Sequence, residues 1–281
     1  MIQELRELWR FRELLWQLVR RDLKVRYKNS RFGFLWSIAP PLMQVACITF
    51  VFKHAGFASK FPSYSAYVLV AIIPWTFFQT AILDASQSIL HMYGVIKKVY
   101  LPREVVPLSS TISNFIHFML SWAIFFVYLV LYVRAPILPT IVWFPYLIIV
   151  QLMLVTGLGL LVSCLNVFYE DIKYMATVLL NLLFFLLPVM YVAEQVYYSP
   201  ALDAPGRAWL RTMFMLNPMS ALISGYRKCL LQPPHPSAIG GRVSLPFDPM
   251  AMLITGGISF AILVACYAYF NSRKWQFVER P

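Results

Sequence analysis

Long apolar runs dominate the pattern of hydrophobic and polar positions along this chain, and short polar segments separate them. A transmembrane helix needs about 20 mainly apolar residues to cross a hydrocarbon core of about 30 Å. Windows of that length predict six transmembrane helices, here called spans one to six, at 33–53, 66–90, 108–133, 141–166, 174–193 and 250–270. The expected fold class is therefore all-α integral membrane, with residues 1–32 before a six-span domain at 33–270 and a tail at 271–281.

A two-faced helix is predicted ahead of the first span. At 100° per residue, the apolar positions of 3–21 share one side and the polar ones the other: Leu5, Leu8, Phe11, Leu15, Leu18 and Val19 against Arg6, Arg10, Glu13, Gln17 and Arg20. Trp9 and Trp16 border the apolar side, where an indole N–H can face lipid headgroups. The pattern predicts an amphipathic helix along the membrane surface, and docking on another protein would use the same face.

Basic residues crowd the stretch from Arg20 to Arg31, immediately before the apolar run that begins at Phe34. Cations stay with the anionic cytoplasmic leaflet, so this stretch places the N-terminus inside. On the six-span topology, sixteen Lys and Arg residues fall on the inner side and eight on the outer side. Both termini are therefore expected in the cytoplasm.

Short helices are predicted in two of the polar segments between the spans. The inner loop that starts at His91 contains a short helix candidate ended by Leu101-Pro102, because the residue before proline leaves the α region. Pro188 is expected to bend span five near its outer end. The outer loop 194–249 is rich in proline and holds an apolar patch at 209–231 that is too interrupted to span. We expect re-entrant or surface-lying helices there, capping the outer side.

The composition agrees with a membrane protein, since 60% of residues are hydrophobic and 13% are charged, against about 25% charged in soluble domains. The net charge of +12 belongs to cytoplasmic loops rather than to a nucleic-acid surface. The four cysteines form no CxxC pair and the four histidines show no ligand spacing, so no metal site is expected.

Six segments in chain order carry a resemblance to a known family: LKVRYKNSRFGFLWSIAPPL from Leu23, IIPWTFFQTAI from Ile72, IKKVYLPREVVPLSS from Ile96, NVFYEDIKY from Asn166, LLPVMY from Leu186 and LNPMSALISGYR from Leu216. Together they resemble the permease subunit of type 2 ABC exporters, of the kind that exports O-antigen, capsule or teichoic-acid polysaccharides. The resemblance extends over nearly the whole chain. It departs at Glu170-Asp171, where the family usually has arginine before aspartate, and the role of Glu170 stays open.

The resemblance implies an interface helix, a cytoplasmic coupling helix between spans two and three, and re-entrant outer helices before span six. It implies a homodimer that forms one channel in the bacterial plasma (inner) membrane, with two copies of a separate ATPase subunit bound inside. The implied cargo is a lipid-linked glycan. The chain contains no GxxxxGK[ST] loop, so it is expected to be a non-catalytic subunit without a cofactor of its own, with ATP and magnesium held by its partner.

Four groups of site residues follow as expectations, with neither catalytic nor metal-binding residues among them. Coupling to the ATPase is expected at Arg20, Asp22, Lys24, Lys97, Lys98, Pro102, Arg103 and Glu104. A lipid phosphate is expected to meet Arg26, Lys28 and Arg31. Aromatic candidates for the conduit wall are Trp36, Trp75, Phe77, Phe78 and Tyr191, with core packing as the ordinary alternative. The outer gate is expected at Asn217, Pro218, Tyr226 and Arg227.

Other function classes fit less well. A type 2 ABC permease for a drug, peptide or lipid is the nearest alternative. A secondary transporter would usually show internal repeats and ionisable residues in mid-membrane. A membrane-embedded transferase would need clustered catalytic histidines or carboxylates, and the sequence shows no such cluster.

Overall fold

The structure is a computed structural model of the 281-residue chain. It describes residues 8–27, 63–98, 101–134, 138–199, 216–234 and 244–278, with single positions between 42 and 50, at 136, and between 209 and 241. Within this described part every regular element is helical. Span one, predicted at 33–53, lies largely outside it.

The helices are numbered in chain order: α1 Arg12–Tyr27, α2 Tyr64–His91, α3 Tyr93–Ile96, α4 Val105–Tyr128, α5 Phe144–Phe168, α6 Ile172–Leu186, α7 Ala193–Tyr197, α8 Pro218–Leu230 and α9 Pro249–Arg273. A π-helical turn at Leu129–Val133 extends α4, a 3-10 turn at Pro139–Trp143 precedes α5, and another at Lys274–Val278 follows α9.

Four of these helices, with their extensions, are long and apolar enough to cross a membrane: Tyr64–His91, Val105–Val133, Pro139–Phe168 and Pro249–Phe277. They overlap the intervals predicted for spans two, three, four and six. The protein is therefore a multi-pass membrane protein built of helices, as expected for segments that must satisfy every backbone polar group internally.

Helix α2 lies at the centre of the bundle. It packs against α4 on one side and α5 on the other, and α5 in turn packs against α9. Aromatic rings fill the α2–α4 interface, where Phe77 and Phe118 stack with centroids 4.6 Å apart. Most residues of α2 are therefore buried, and only a few of its positions are partly exposed.

The apolar face of α1 packs against its own chain. Leu18 and Val19 are buried, and Leu18 joins a cluster with Ile89, Val105 and Phe277 at the ends of the long helices. Trp9 and Trp16 stay exposed at 71% and 47%. The face predicted to lie on lipid or on another protein is thus used internally, because the helix ends offer a ready apolar surface.

Helix α6 corrects one prediction. It ends at Leu186, and Leu187 is extended with ψ 152° because it precedes Pro188. Pro188 therefore ends the helix rather than bending it, and the interval 174–193 is not one continuous helix. Fifteen residues rise about 22 Å, which is shorter than a hydrocarbon core of about 30 Å.

A glycine lets α5 and α9 approach closely. A Cβ atom at Gly157 would lie 2.8 Å from the Cα of Leu263, within the backbone of α9. Backbone cannot move aside as a flexible side chain can, so the small residue is needed for this contact.

We expect Gly157→Ala to lower stability by about 1–3 kcal/mol, because the methyl group forces two helix backbones apart. Gly257→Ala is the matched control, since nothing lies within 4 Å of a Cβ there, and helix propensity alone makes it neutral or stabilising. Thermal unfolding of the detergent-solubilised variants measures both. Equal unfolding temperatures for the two variants would contradict the close contact.

Candidate functional site

Charged residues gather at the two ends of the bundle. The basic end is the end formed by α1, residues 96–98 and 101–104, and Lys274–Val278, from which Leu18, Ile96, Leu101 and Phe277 meet in one apolar cluster. The opposite end carries α7, α8 and the beginning of α2, which meet around Arg227. The sequence-predicted site residues fall at both ends.

The loop between α2 and α4 presents two lysines at the basic end. Helix α3 is held by buried Ile96, and Lys97 and Lys98 follow it as exposed residues. The Lys97 ammonium lies 4.5 Å from the centroid of the Tyr93 ring. The short helix predicted in this loop is present, but it ends at Ile96 rather than at Leu101.

The next charged residues of this loop turn inward. Glu104 is 1% exposed, and the Lys274 ammonium lies 3.4 Å from its carboxylate with only 8% of the lysine side chain exposed. Pro102 is buried as well. The coupling residues predicted in this loop are therefore divided: Lys97 and Lys98 face outward, and Glu104 forms a buried ion pair.

Lys274–Val278, which we call the C-terminal strap, provides the other half of this contact. The Arg103 guanidinium lies 5.4 Å from the Trp275 ring and 5.9 Å from the Phe277 ring. Phe277 is fully buried, with ring centroids 5.8 Å from Phe168 and 5.7 Å from Phe270. The strap thus joins the start of α4 to the last turns of α5 and α9.

The candidate residues on α1 differ in their surroundings. Arg20 and Lys24 are exposed, and the Arg20 guanidinium lies 5.5 Å from the Trp16 ring. Asp22 pairs with Arg21 at 2.8 Å. Arg20 and Lys24 therefore present charge to the surroundings, whereas Asp22 and Arg21 neutralise each other.

A polar cluster links α1 to α2 and α4. One guanidinium nitrogen of Arg26 lies 2.5 Å from the Asp84 carboxylate, and the other donates to the Asn114 side-chain oxygen at 3.1 Å. The Asn114 amide donates to Asp84 at 2.9 Å. Arg26, predicted to meet a lipid phosphate, is therefore already paired; the companion residues Lys28 and Arg31 lie outside the described residues.

Asp84 was not among the predicted site residues. It lies seven residues before the last residue of α2, about 10 Å along the helix axis. An ionisable side chain at that depth in an apolar helix was the signal in the sequence, since such residues are costly in a bilayer. Asn114 and Lys274 carried no comparable signal.

The conduit aromatics are placed mainly in the core. Trp75, Phe77 and Phe78 are 2%, 3% and 5% exposed and pack between helices. Their rings face neighbouring helices rather than an open surface of the chain, which matches the core-packing alternative. Tyr191 is partly exposed, and its hydroxyl donates to the Leu186 carbonyl. Trp36 lies outside the described residues.

Arg227 organises the opposite end. Its guanidinium donates to the carbonyl oxygens of Tyr67, Pro188, Val189 and Tyr191 at distances between 2.5 and 3.2 Å. It also lies 3.8 Å from the centroid of the Tyr67 ring. The carbonyls after α6 have no helical partners because Pro188 ends that helix, so Arg227 satisfies the backbone that the proline leaves open.

The remaining outer-gate candidates build α8 itself. Asn217 caps the helix, with its side-chain oxygen accepting from the backbone N–H of Met219 at 3.0 Å, and Pro218 is the first helical residue. Tyr226 is fully buried, 5.1 Å from the Trp122 ring. Beside it, Lys228 pairs with buried Glu194 at 3.4 Å, a residue that sequence reasoning did not single out.

The chain is similar to known proteins over nearly its whole length. The family described as ABC-2 type transporter matches residues 13–231, from α1 through α8. The O-antigen export system permease protein RfbA of Myxococcus xanthus is 29% identical over 279 residues, which are 99% of this chain and 99% of that protein. Two proteins of the same name from Klebsiella pneumoniae are 27% identical over 268 residues, which are 95% of this chain and 94% of each relative.

We expect Arg227→Met to be among the most destabilising changes in the opposite end, because it removes the side-chain donor from the carbonyl groups of buried Pro188 and Val189, at a cost of about 1–3 kcal/mol for each unsatisfied group. The destabilisation caused by Arg227→Lys should lie between those of Arg227→Met and Arg273→Met, because one ammonium group cannot reproduce all the hydrogen bonds of the planar guanidinium. Arg273→Met, at an exposed arginine of α9, is the control. Thermal unfolding in detergent ranks the three variants, and equal values for Arg227→Met and Arg273→Met would contradict this role.

The ion pair between Glu104 and Lys274 should show strong coupling in a double-mutant cycle. Glu104→Gln or Lys274→Met alone leaves one buried group without its charged partner, at a cost of about 3–5 kcal/mol. The double variant should cost less than the two single variants summed, because no isolated charge remains. Unfolding free energies test this expectation, and additive costs would show that the two side chains do not interact.

Proposed function

Because the chain belongs to the ABC-2 type transporter family, we propose that it is the membrane-spanning permease subunit of an ATP-driven exporter of a lipid-linked polysaccharide. The observation that carries the proposal is the similarity, over nearly the whole length of both chains, to proteins named as O-antigen export permeases. Four membrane-crossing helices in the described part agree with a membrane subunit.

In this proposal the chain is a non-catalytic subunit, and a separate ATPase subunit supplies energy. Two copies of the chain form the channel and two ATPase subunits bind to it, with ATP and magnesium held by the ATPase. The basic end faces the cytoplasm, because cations stay on the cytoplasmic side of a bacterial plasma membrane. Both termini are then cytoplasmic and span one completes six spans.

The coupling route runs through the basic end. Lys97 and Lys98 are exposed where a docked ATPase would meet them. From there the chain continues to Arg103 and Glu104, which hold the C-terminal strap. A shift of the loop would therefore move the ends of α4, α5 and α9 together, since packed helices have discrete arrangements and move as bodies.

The opposite end would serve as the outer gate. Helix α8 measures about 20 Å at 1.5 Å per residue, too short to cross a bilayer, and α6 ends before Pro188. Non-helical backbone at membrane depth is tolerated where the protein satisfies it, and Arg227 does so here. A re-entrant α8 anchored by one arginine fits a gate that moves as a unit.

Deletion of the encoding gene tests the proposed cargo. We expect lipid-linked glycan to accumulate at the cytoplasmic face and surface glycan to disappear, with both restored by the wild-type chain. Affinity purification of the tagged chain should recover an ATPase in equal amounts. Normal surface glycan in the deletion strain would contradict the cargo, and recovery of the chain without an ATPase would contradict the exporter.

The double substitution Lys97→Ala/Lys98→Ala should lower the glycan exported per ATP hydrolysed several-fold, because the loop then loses its exposed charges at the ATPase contact. The reconstituted complex allows both rates to be measured on one preparation. Arg134→Asn is the control, since it removes an exposed cation at the opposite end and asparagine tolerates the positive φ of 51° found there. An unchanged ratio in the lysine variant would contradict coupling through this loop.

A further inference from the structure

A cavity of about 490 Å³ lies at the basic end between α1, α2 and the first half of α4. Its wall includes the polar cluster of Arg26, Asp84 and Asn114. Its size falls within the range of about 300–1,000 Å³ that holds small organic ligands. The coupling route described above does not use it.

The charges of this cavity balance one another. Its described lining contains two arginines and two aspartates, and each arginine pairs with one aspartate: Arg21 with Asp22 at 2.8 Å, and Arg26 with Asp84 at 2.5 Å. A phosphate-binding site would instead leave cations unneutralised. The lining therefore favours a ligand without net charge.

Small polar groups converge on the same space. Four serines line the cavity, and the hydroxyls of Ser88, Ser109 and Ser113 each donate to a carbonyl of their own helix at 2.7 to 2.9 Å. A hydroxyl that donates keeps lone pairs that accept from a ligand hydroxyl. The Gln87 amide adds both donor and acceptor, and Met92 and Val106 supply apolar contact. Hydroxyls and C–H faces together are the chemistry of a sugar.

The polar lining continues along α2 beyond the cavity. Thr76, Thr80, Asp84, Ser88 and His91 are partly or fully exposed, whereas most other positions of the helix are buried. Their spacing of three to four residues puts them on one face. Nearby, Gln79 donates to Asn181 of α6 at 3.2 Å. A helix that served only as core would not need a polar line through its membrane-embedded half.

We propose that this cavity binds an uncharged sugar residue of the glycan next to its lipid carrier, and that the polar line of α2 leads onward from it. The inference rests on the proposed function and names the part of the substrate that this chain recognises. It differs from the phosphate role expected of Arg26, because Asp84 already neutralises that arginine. Small residues can also serve helix packing, and α1 packs on α4; the experiment separates the two roles.

Binding is measured on the chain assembled with its ATPase in nanodiscs, without nucleotide. The two probes are an isoprenyl diphosphate that carries a disaccharide and the same isoprenyl diphosphate without sugar. The wild-type complex should bind the sugar-bearing probe at least tenfold more tightly. Gln87→Leu combined with Ser113→Ala removes two polar groups at nearly constant volume and should abolish that preference while leaving affinity for the bare probe unchanged.

Ser272→Ala, at an exposed serine outside the cavity, should keep the wild-type preference. Asp84→Asn should raise affinity for the bare diphosphate, because it leaves the charge of Arg26 unneutralised. Loss of affinity for both probes in the Gln87/Ser113 variant would overturn the sugar site in favour of a packing role. Equal wild-type binding of the two probes would overturn this inference alone, and no binding of either would overturn the proposed cargo with it.

Discussion

A bilayer offers no hydrogen-bond partners, and most of this structure follows from that constraint. The described backbone is helical because a helix satisfies its own N–H and C=O groups. Where the helix is interrupted, a side chain replaces the missing bond. Arg227 donates to the carbonyls that follow α6.

The same constraint explains why the buried carboxylates of the described part have cationic partners. A buried ion without a partner is costly, so Glu104 has Lys274 and Glu194 has Lys228, and the half-exposed Asp84 has Arg26. Each pair joins elements that are distant in sequence. The pairs therefore connect the loop to the C-terminal strap, α7 to α8 and α1 to α2, which are the contacts that a conformational change has to preserve or rearrange.

This arrangement gives the two ends of the bundle different properties. At the basic end, exposed Lys97 and Lys98 belong to the same loop as Glu104 of a buried pair, so the proposed docking surface and the helix ends are joined within six residues of chain. At the opposite end, one arginine holds several segments by their backbone rather than by side-chain charge. The cavity between α1, α2 and α4 lies at the basic end, beside the polar line of α2.

The sequence by itself determined the membrane class, the four long helices in the described part and the two-faced pattern of α1, because hydropathy and periodicity act locally. It also marked Pro188 as a point of disruption, although it predicted a bend where α6 ends. Lys97, Lys98 and Arg227 were named from the sequence as site residues, and their roles stay predictions. Tertiary structure alone decided that Glu104 and Arg103 turn towards the strap, that Asp84 neutralises Arg26, and that Trp75, Phe77 and Phe78 pack in the core. The surroundings of a charged group or an aromatic ring depend on residues that are far away in the chain. The local sequence pattern does not show which of those residues will be in contact.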